Sequence, residues 1–252
     1  MFFKKVAVAA AAVCVFAGTG FSAYADTLRI GSETVYPPFE FLNSDTGKYD
    51  GFDIDLIDAM AKKAGFEPKI ISMGLDGLIP AIMSGSIDVA VSALTITKER
   101  AARVDFTKPY YKSGLSIMTH AKYADQVKGA KDLEGKVLCA EIGSAGALYM
   151  SKIKGTKLKT FNSAAEAFLE INNGGCFAMV NDKPVNDYFL TQRAGKSMQL
   201  ASIPVILSVD DYGFAVKKGN KALKARLEKA LDDVVADGTY KKIYEKWFGA
   251  MK

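Results

Sequence analysis

The stretch from Ile87 to Tyr111, IDVAVSALTITKERAARVDFTKPYY, constrains the fold more than any other part of the chain. Ile87, Val89, Ala90 and Val91 form a short apolar run that reads as a buried strand. The run ends in small and hydroxylated residues, Ser92, Ala93 and Thr95. Thr97 then sits where an N-cap belongs, with Glu99 in the first turn of a short helix and Arg100 beside it. Free backbone groups, hydroxyls and one guanidinium therefore converge at a strand end. Such a corner suits a carboxylate, because N–H groups and hydroxyls donate to it and an arginine can hold both of its oxygens. The plainer reading is a strand–turn–helix whose Arg100 pairs with a neighbouring carboxylate.

The N-terminus says where such a corner would work. Lys4 and Lys5 precede an apolar run from Val6 to about Ala17, and Ala23-Tyr24-Ala25 supplies a small-x-small cleavage pattern. Residues 1–25 are expected to be a secretory signal peptide, cleaved before Asp26. The run is too short for a comfortable membrane span. Cys14 follows Ala12-Val13 and lacks the small residue expected before a lipidated cysteine. Cleavage leaves 227 of the 252 residues and lowers the net charge from +5 to +3, since the leader carries Lys4 and Lys5 and no acid. That length buries a good core as one large domain or two smaller ones. The lysines are scattered rather than gathered into a basic stripe with interleaved aromatics, which argues against nucleic acid. Only Cys139 and Cys176 survive processing. An exported pair can bond, but each lies in an apolar, strand-like context, which favours two small buried hydrophobes over a bridge.

Strand-like and helix-like segments alternate, pointing to α/β layers. The pattern predicts strands at 27–31, 68–73 and from Ile87. A helix capped by Asp53 runs to about Ala64, with Leu56, Ile57, Met60, Ala61 and Ala64 on its apolar face. A second helix spans 76–83. The later chain repeats the logic: a strand at 136–140, Gly143-Ser144-Ala145-Gly146 opening a helix, a Ser163-capped helix to Ile171, and a strand at 177–180 ending in Asn181-Asp182. Two similar lobes with a cleft between them explain this repetition better than one sheet. A long amphipathic helix (222–236) and a final helix carrying Tyr240, Ile243, Tyr244, Trp247 and Phe248 close the chain.

Chemistry-bearing patterns are few. His120 is the one histidine and reads as a surface or hinge residue; no metal spacing, phosphate-cradling glycine loop or Gly-x-Ser-x-Gly elbow is present. The sequence gives no positive evidence for catalysis, a metal or a cofactor.

Six motifs then occur in order: Tyr36-Pro37-Pro38-Phe39-Glu40-Phe41, Gly51-Phe52-Asp53-Ile54-Asp55-Leu56, Leu94-Thr95-Ile96-Thr97-x-x-Arg100, Asp105-Phe106-x-x-Pro109-Tyr110-Tyr111, Gly238-Thr239-Tyr240 and Lys246-Trp247-Phe248-Gly249. With them, residues 26–249 closely resemble the polar amino acid-binding proteins of bacterial ABC importers, solute-binding protein family 3. The resemblance implies a type II periplasmic binding fold with two α/β lobes. Lobe 1 would combine 26–113 with 211–252, lobe 2 would span 117–206, and hinge strands would cross at about 113–119 and 207–211. It implies a monomer in the periplasm that binds a free amino acid and meets a membrane permease with its ATPase.

By the same resemblance the ligand's carboxylate falls to Arg100, Thr95, Ser144 and Ala145, and its ammonium to Asp182, the Ala93 carbonyl and Ser92. Tyr36 and Leu75 would wall the side-chain slot. Glu33 stands where members that bind basic amino acids often carry an acid, and Glu141 stands at a variable position. If the two face each other across a cleft, a cationic ligand side chain relieves their repulsion; a neutral polar side chain is the other reading. An exported dehydratase acting on cyclohexadienyl compounds or arogenate, with Glu141 as general acid, is the enzymatic alternative on the same fold.

Overall fold

The computed structural model describes residues 26–251. The leader expected at 1–25 lies outside them. Two five-stranded sheets carry the fold. The first has the spatial order Phe66–Ser72, Asp26–Ser32, Val89–Ala90, Ala215–Lys217, Val104–Phe106. Its first three strands are parallel, and Ala215–Lys217 enters antiparallel from the far end of the sequence. The second has the order Lys157–Phe161, Val137–Glu141, Ala178–Asp182, Tyr111–His120, Leu200–Tyr212. Its first three strands are again parallel, and the last two run antiparallel to their neighbours. The strand predicted from Ile87 is shorter than its apolar run, only Val89–Ala90, because the backbone turns out of the ladder before the corner at Ser92.

Two passages link the sheets. The chain leaves the first sheet after Val104–Phe106, enters Tyr111–His120, and returns from Leu200–Tyr212 into Ala215–Lys217. These passages are tied side by side: Tyr110 N–H donates to the Tyr212 carbonyl and Thr107 N–H to the Phe214 carbonyl, each at 2.9 Å. Residues 113–119 and 207–211 belong to the antiparallel strands Tyr111–His120 and Leu200–Tyr212.

The helix Phe52–Ala64 buries Leu56, Ile57, Met60 and Ala61, carries acids in its first turn and Lys62 and Lys63 in its last, and stops at left-handed Gly65. That complements the helix dipole at both ends. Its cap, however, is Gly51 and not Asp53. Asp53 is fully buried inside the first turn, with its carboxylate turned inward. Gly51 is required there: it sits at φ +130°, and a Cβ would lie 2.1 Å from the Phe39 carbonyl oxygen.

Five of the six motifs meet in one aromatic cluster beside the two passages. Phe39 packs edge-on against Tyr212 at 5.3 Å between ring centroids, Phe52 lies 5.2 Å from Phe248, and Tyr110 stacks on Phe214 at 4.3 Å. The C-terminal helix Thr239–Phe248 is fastened to it, with the Tyr240 hydroxyl donating to the Tyr110 carbonyl at 2.6 Å and the Trp247 indole to Asp55 at 2.7 Å. The motifs thus brace the base of the two passages.

Cys139 and Cys176 form a disulfide, with Cα atoms 5.7 Å apart, which corrects the expectation of two buried free thiols. Cys139 lies in Val137–Glu141, and Cys176 comes just before the adjacent strand Ala178–Asp182. Both are buried. An apolar setting is shared by free and bridged cysteines, so local sequence could not separate them; the parallel register that brings the two segments side by side decides the matter. His120 ends its strand half-buried and accepts the Lys122 N–H through Nδ1.

Candidate ligand-binding site

A small cavity of about 20 Å³ opens between the C-terminal ends of the two sheets' parallel strands. The first sheet's half supplies Glu33 and Tyr36, Leu75 at the start of the helix Leu75–Ser84, and Ser92, Ala93, Thr95 and Arg100 from the corner after Val89–Ala90. The second sheet's half supplies Glu141, Ser144, Ala145 and Asp182. All eleven residues nominated from the sequence line this one cavity. It lies at strand ends, where open α/β sheets place their ligands.

Thr97 caps the short helix Lys98–Ala101 as predicted, its hydroxyl accepting the Arg100 N–H at 3.1 Å. The Arg100 guanidinium donates to the Thr95 carbonyl at 2.9 Å and, across the cleft, to the Gly143 carbonyl at 2.9 Å. Among the described residues it forms no ion pair, so the plainer reading of this corner does not hold. Burial lowers its pKa, opposed by the charges of Asp182 and Glu141. The remaining guanidinium N–H groups are the donors that a carboxylate would engage.

On the opposite side Ser144 caps the helix Ala145–Met150 by accepting the Ala147 N–H at 3.0 Å. A Cβ on Gly146 would lie 2.0 Å from the Val180 carbonyl oxygen, so glycine lets this turn press against the strand that ends in Asp182. A Cβ on Gly143, at φ +78°, would lie 3.2 Å from Asp76 Cα in the other half. Small residues therefore set how closely the two halves meet.

Asp182 occupies the N-cap position of the helix Lys183–Thr191 without bonding to it. Its carboxylate instead accepts from the Tyr36 hydroxyl at 2.6 Å, a contact between the two halves. Burial raises its pKa to about 6, against the lowering effect of hydrogen bonds from Tyr36 and Tyr212. Its Oδ1 has no hydrogen-bond partner among the described residues.

Glu33 and Glu141 approach from opposite halves and come within reach of a shared hydrogen bond. Both are buried, and Oε1 of each has no partner among the described residues. Burial raises the pKa of both; for Glu141 the hydrogen bond and charge of Glu33 raise it further. The lining thus holds three carboxyl groups against one guanidinium.

Two supporting acids escaped sequence reasoning. Asp53 Oδ2 accepts the Ala93 N–H at 2.8 Å and the Tyr110 hydroxyl at 2.6 Å. It holds Ala93 at φ +41°, a left-handed conformation that a non-glycine residue adopts only under constraint. Glu40 accepts from the Ser92 hydroxyl at 2.8 Å, while that hydroxyl accepts the Glu33 N–H at 2.9 Å. The one signal for Asp53 was an acid on the apolar stripe of its helix, four residues before Ile57. Glu40, set between two phenylalanines, offered none.

Residues 28–250 match the family of bacterial extracellular solute-binding proteins, family 3, and the chain belongs to that family. Its two-sheet architecture is the family's type II periplasmic binding fold. The L-arginine-binding protein of Pseudomonas aeruginosa is 34% identical over 230 residues, which is 88% of this chain and 87% of the relative. A solved structure of an ancestral arginine-binding protein bound to arginine superposes with a TM-score of 0.85 at 40% identity, covering 90% of this chain and 100% of the other. An ancestral arginine-binding protein bound to glutamine superposes at 0.83 with 41% identity, covering 88% and 98%. No helix among the described residues is long and apolar enough to cross a membrane.

Proposed function

We propose that this protein captures a free polar amino acid, with a cationic side chain favoured, and delivers it to an ABC importer. Residues 26–113 with 211–252 form one lobe, 117–206 the other, and the paired crossings are the hinge about which they close. The leader directs the chain to the periplasm, where it works as a monomer and meets a permease and its ATPase. The observation that carries the reading is the charge content of one small cavity, where Arg100 shares the lining with three acids, Asp182, Glu33 and Glu141. A zwitterion with a second positive charge answers each group.

In this reading Arg100, Thr95 and the N–H groups at Ser144 and Ala145 hold the carboxylate. Asp182, the Ala93 carbonyl and Ser92 hold the ammonium, Tyr36 and Leu75 flank the side chain, and Glu33 with Glu141 receive its far end. Closure removes these groups from water, so a ligand that leaves one unpaired binds poorly. Competition against bound arginine at neutral pH tests the layout. Basic amino acids should displace it at lower concentration than glutamine or cystine, and Glu141→Gln should narrow the gap. Glutamine or cystine outcompeting every basic amino acid overturns the charge argument.

The enzymatic alternative rests on Glu141 alone, a buried carboxyl whose raised pKa suits a general acid. Conversion of prephenate or arogenate by the purified protein would establish it. The complete amino-acid anchor at Arg100 and Asp182 favours binding without turnover.

A further inference from the structure

We propose that Glu33 and Glu141 form a proton-or-cation switch, so that one proton and the cationic end of a ligand side chain are mutually exclusive occupants of the closed cleft. The inference rests on the amino-acid-binding reading above and extends it from which ligand binds to how pH sets the choice.

The geometry carries it. The two carboxyl groups belong to different sheets, Glu33 just after Asp26–Ser32 and Glu141 at the end of Val137–Glu141, so they become neighbours only when the halves meet. Both are buried, at 3% and 1% exposure, and each keeps one oxygen without a partner among the described residues. Their surroundings do not neutralise two charges. Asp76 faces Glu33 from the helix Leu75–Ser84, and Glu40 faces it from the strand Glu40–Asn43. Asp182 and the Tyr36 hydroxyl face Glu141 from the adjacent strand and from the other half. Arg100 is the cation in the same cavity lining as Glu141, and two of its N–H bonds go to carbonyls. Two adjacent buried carboxylates cannot both stay ionised without compensation. A guanidinium or ammonium between them supplies it, and the pair then holds no proton. A neutral side chain supplies none, and the pair keeps one proton as a hydrogen bond between its oxygens.

The sign follows. The arginine complex holds no proton on the pair and the glutamine complex holds one, so glutamine binding weakens relative to arginine binding as pH rises. Arg100 and Asp182 meet the same carboxylate and ammonium in both ligands, so their titration cancels in the ratio of the two affinities. The preference for L-arginine over L-glutamine should therefore climb by about tenfold per pH unit while the complexes differ by one proton.

The test measures Kd for L-arginine and L-glutamine by calorimetry between pH 5.5 and 9, in two buffers of different ionisation enthalpy. The expected result is a preference that rises steeply with pH, with glutamine taking up close to one proton more than arginine. In Glu141→Gln, and independently in Glu33→Gln, the slope should flatten and the proton difference vanish. Wild-type protein that binds both ligands with a pH-independent ratio and equal proton counts overturns the switch and leaves amino-acid capture standing. Failure of glutamine to bind even at pH 5.5 overturns it also. Protein that binds neither amino acid at any pH overturns the proposed function, and the switch falls with it.

Discussion

Arg100→Ala should weaken binding of every amino acid ligand by about 30-fold to several-thousand-fold, the equivalent of about 2–5 kcal/mol for removing one partner of a buried, hydrogen-bonded charge pair. Two observations raise the expected loss above that of a surface arginine. The guanidinium forms no ion pair among the described residues, so its charge is uncommitted within the protein. It also donates to the Gly143 carbonyl across the cleft at 2.9 Å, so the variant loses a contact between the halves as well as a ligand anchor. Thr97 still caps the helix Lys98–Ala101 through the residue 100 backbone, so the corner itself should survive. Calorimetry showing less than a fivefold loss would contradict the role given to Arg100.

The second large effect concerns stability. Replacing Cys139 and Cys176 together by alanine frees a loop spanning a sequence separation of 37 residues. Constraining a loop of that length in the unfolded chain contributes about 3–4 kcal/mol. For a chain of this size that corresponds to a fall in Tm of roughly 6–16 °C. The bridge ties together the two strands whose ends carry Glu141 and Asp182. Ligand affinity measured well below the new Tm should change far less than stability, because neither sulfur lines the cavity. Scanning calorimetry with a shift below 2 °C would show that the native strand pairing holds this region unaided.

Much of the fold was legible because its signals are local. Apolar periodicity marked the helix Phe52–Ala64, Thr97 and Ser163 announced their caps, and small residues marked the strand ends. The cavity was legible through Thr95 and Arg100, whose spacing describes a corner, and through the family likeness for the rest. What stayed hidden depends on contacts distant in sequence. The disulfide needs the register of two strands. The inward turn of Asp53 needs Ala93, 40 residues away, and Glu40 needs Ser92, 52 residues away. An acid drawn into a core by such partners looks from sequence like a helix cap or an exposed charge. The motifs divide in the same way: Leu94–Arg100 lines the site, while Phe39, Phe52, Tyr110 and Phe248 pack beside the two passages.

If the cleft captures an intact amino acid at one site, titration calorimetry with L-arginine should saturate at one arginine per chain, and the ligand recovered afterwards should be unchanged arginine. Absence of saturable binding by arginine and by each other free amino acid tried in its place would contradict that capture.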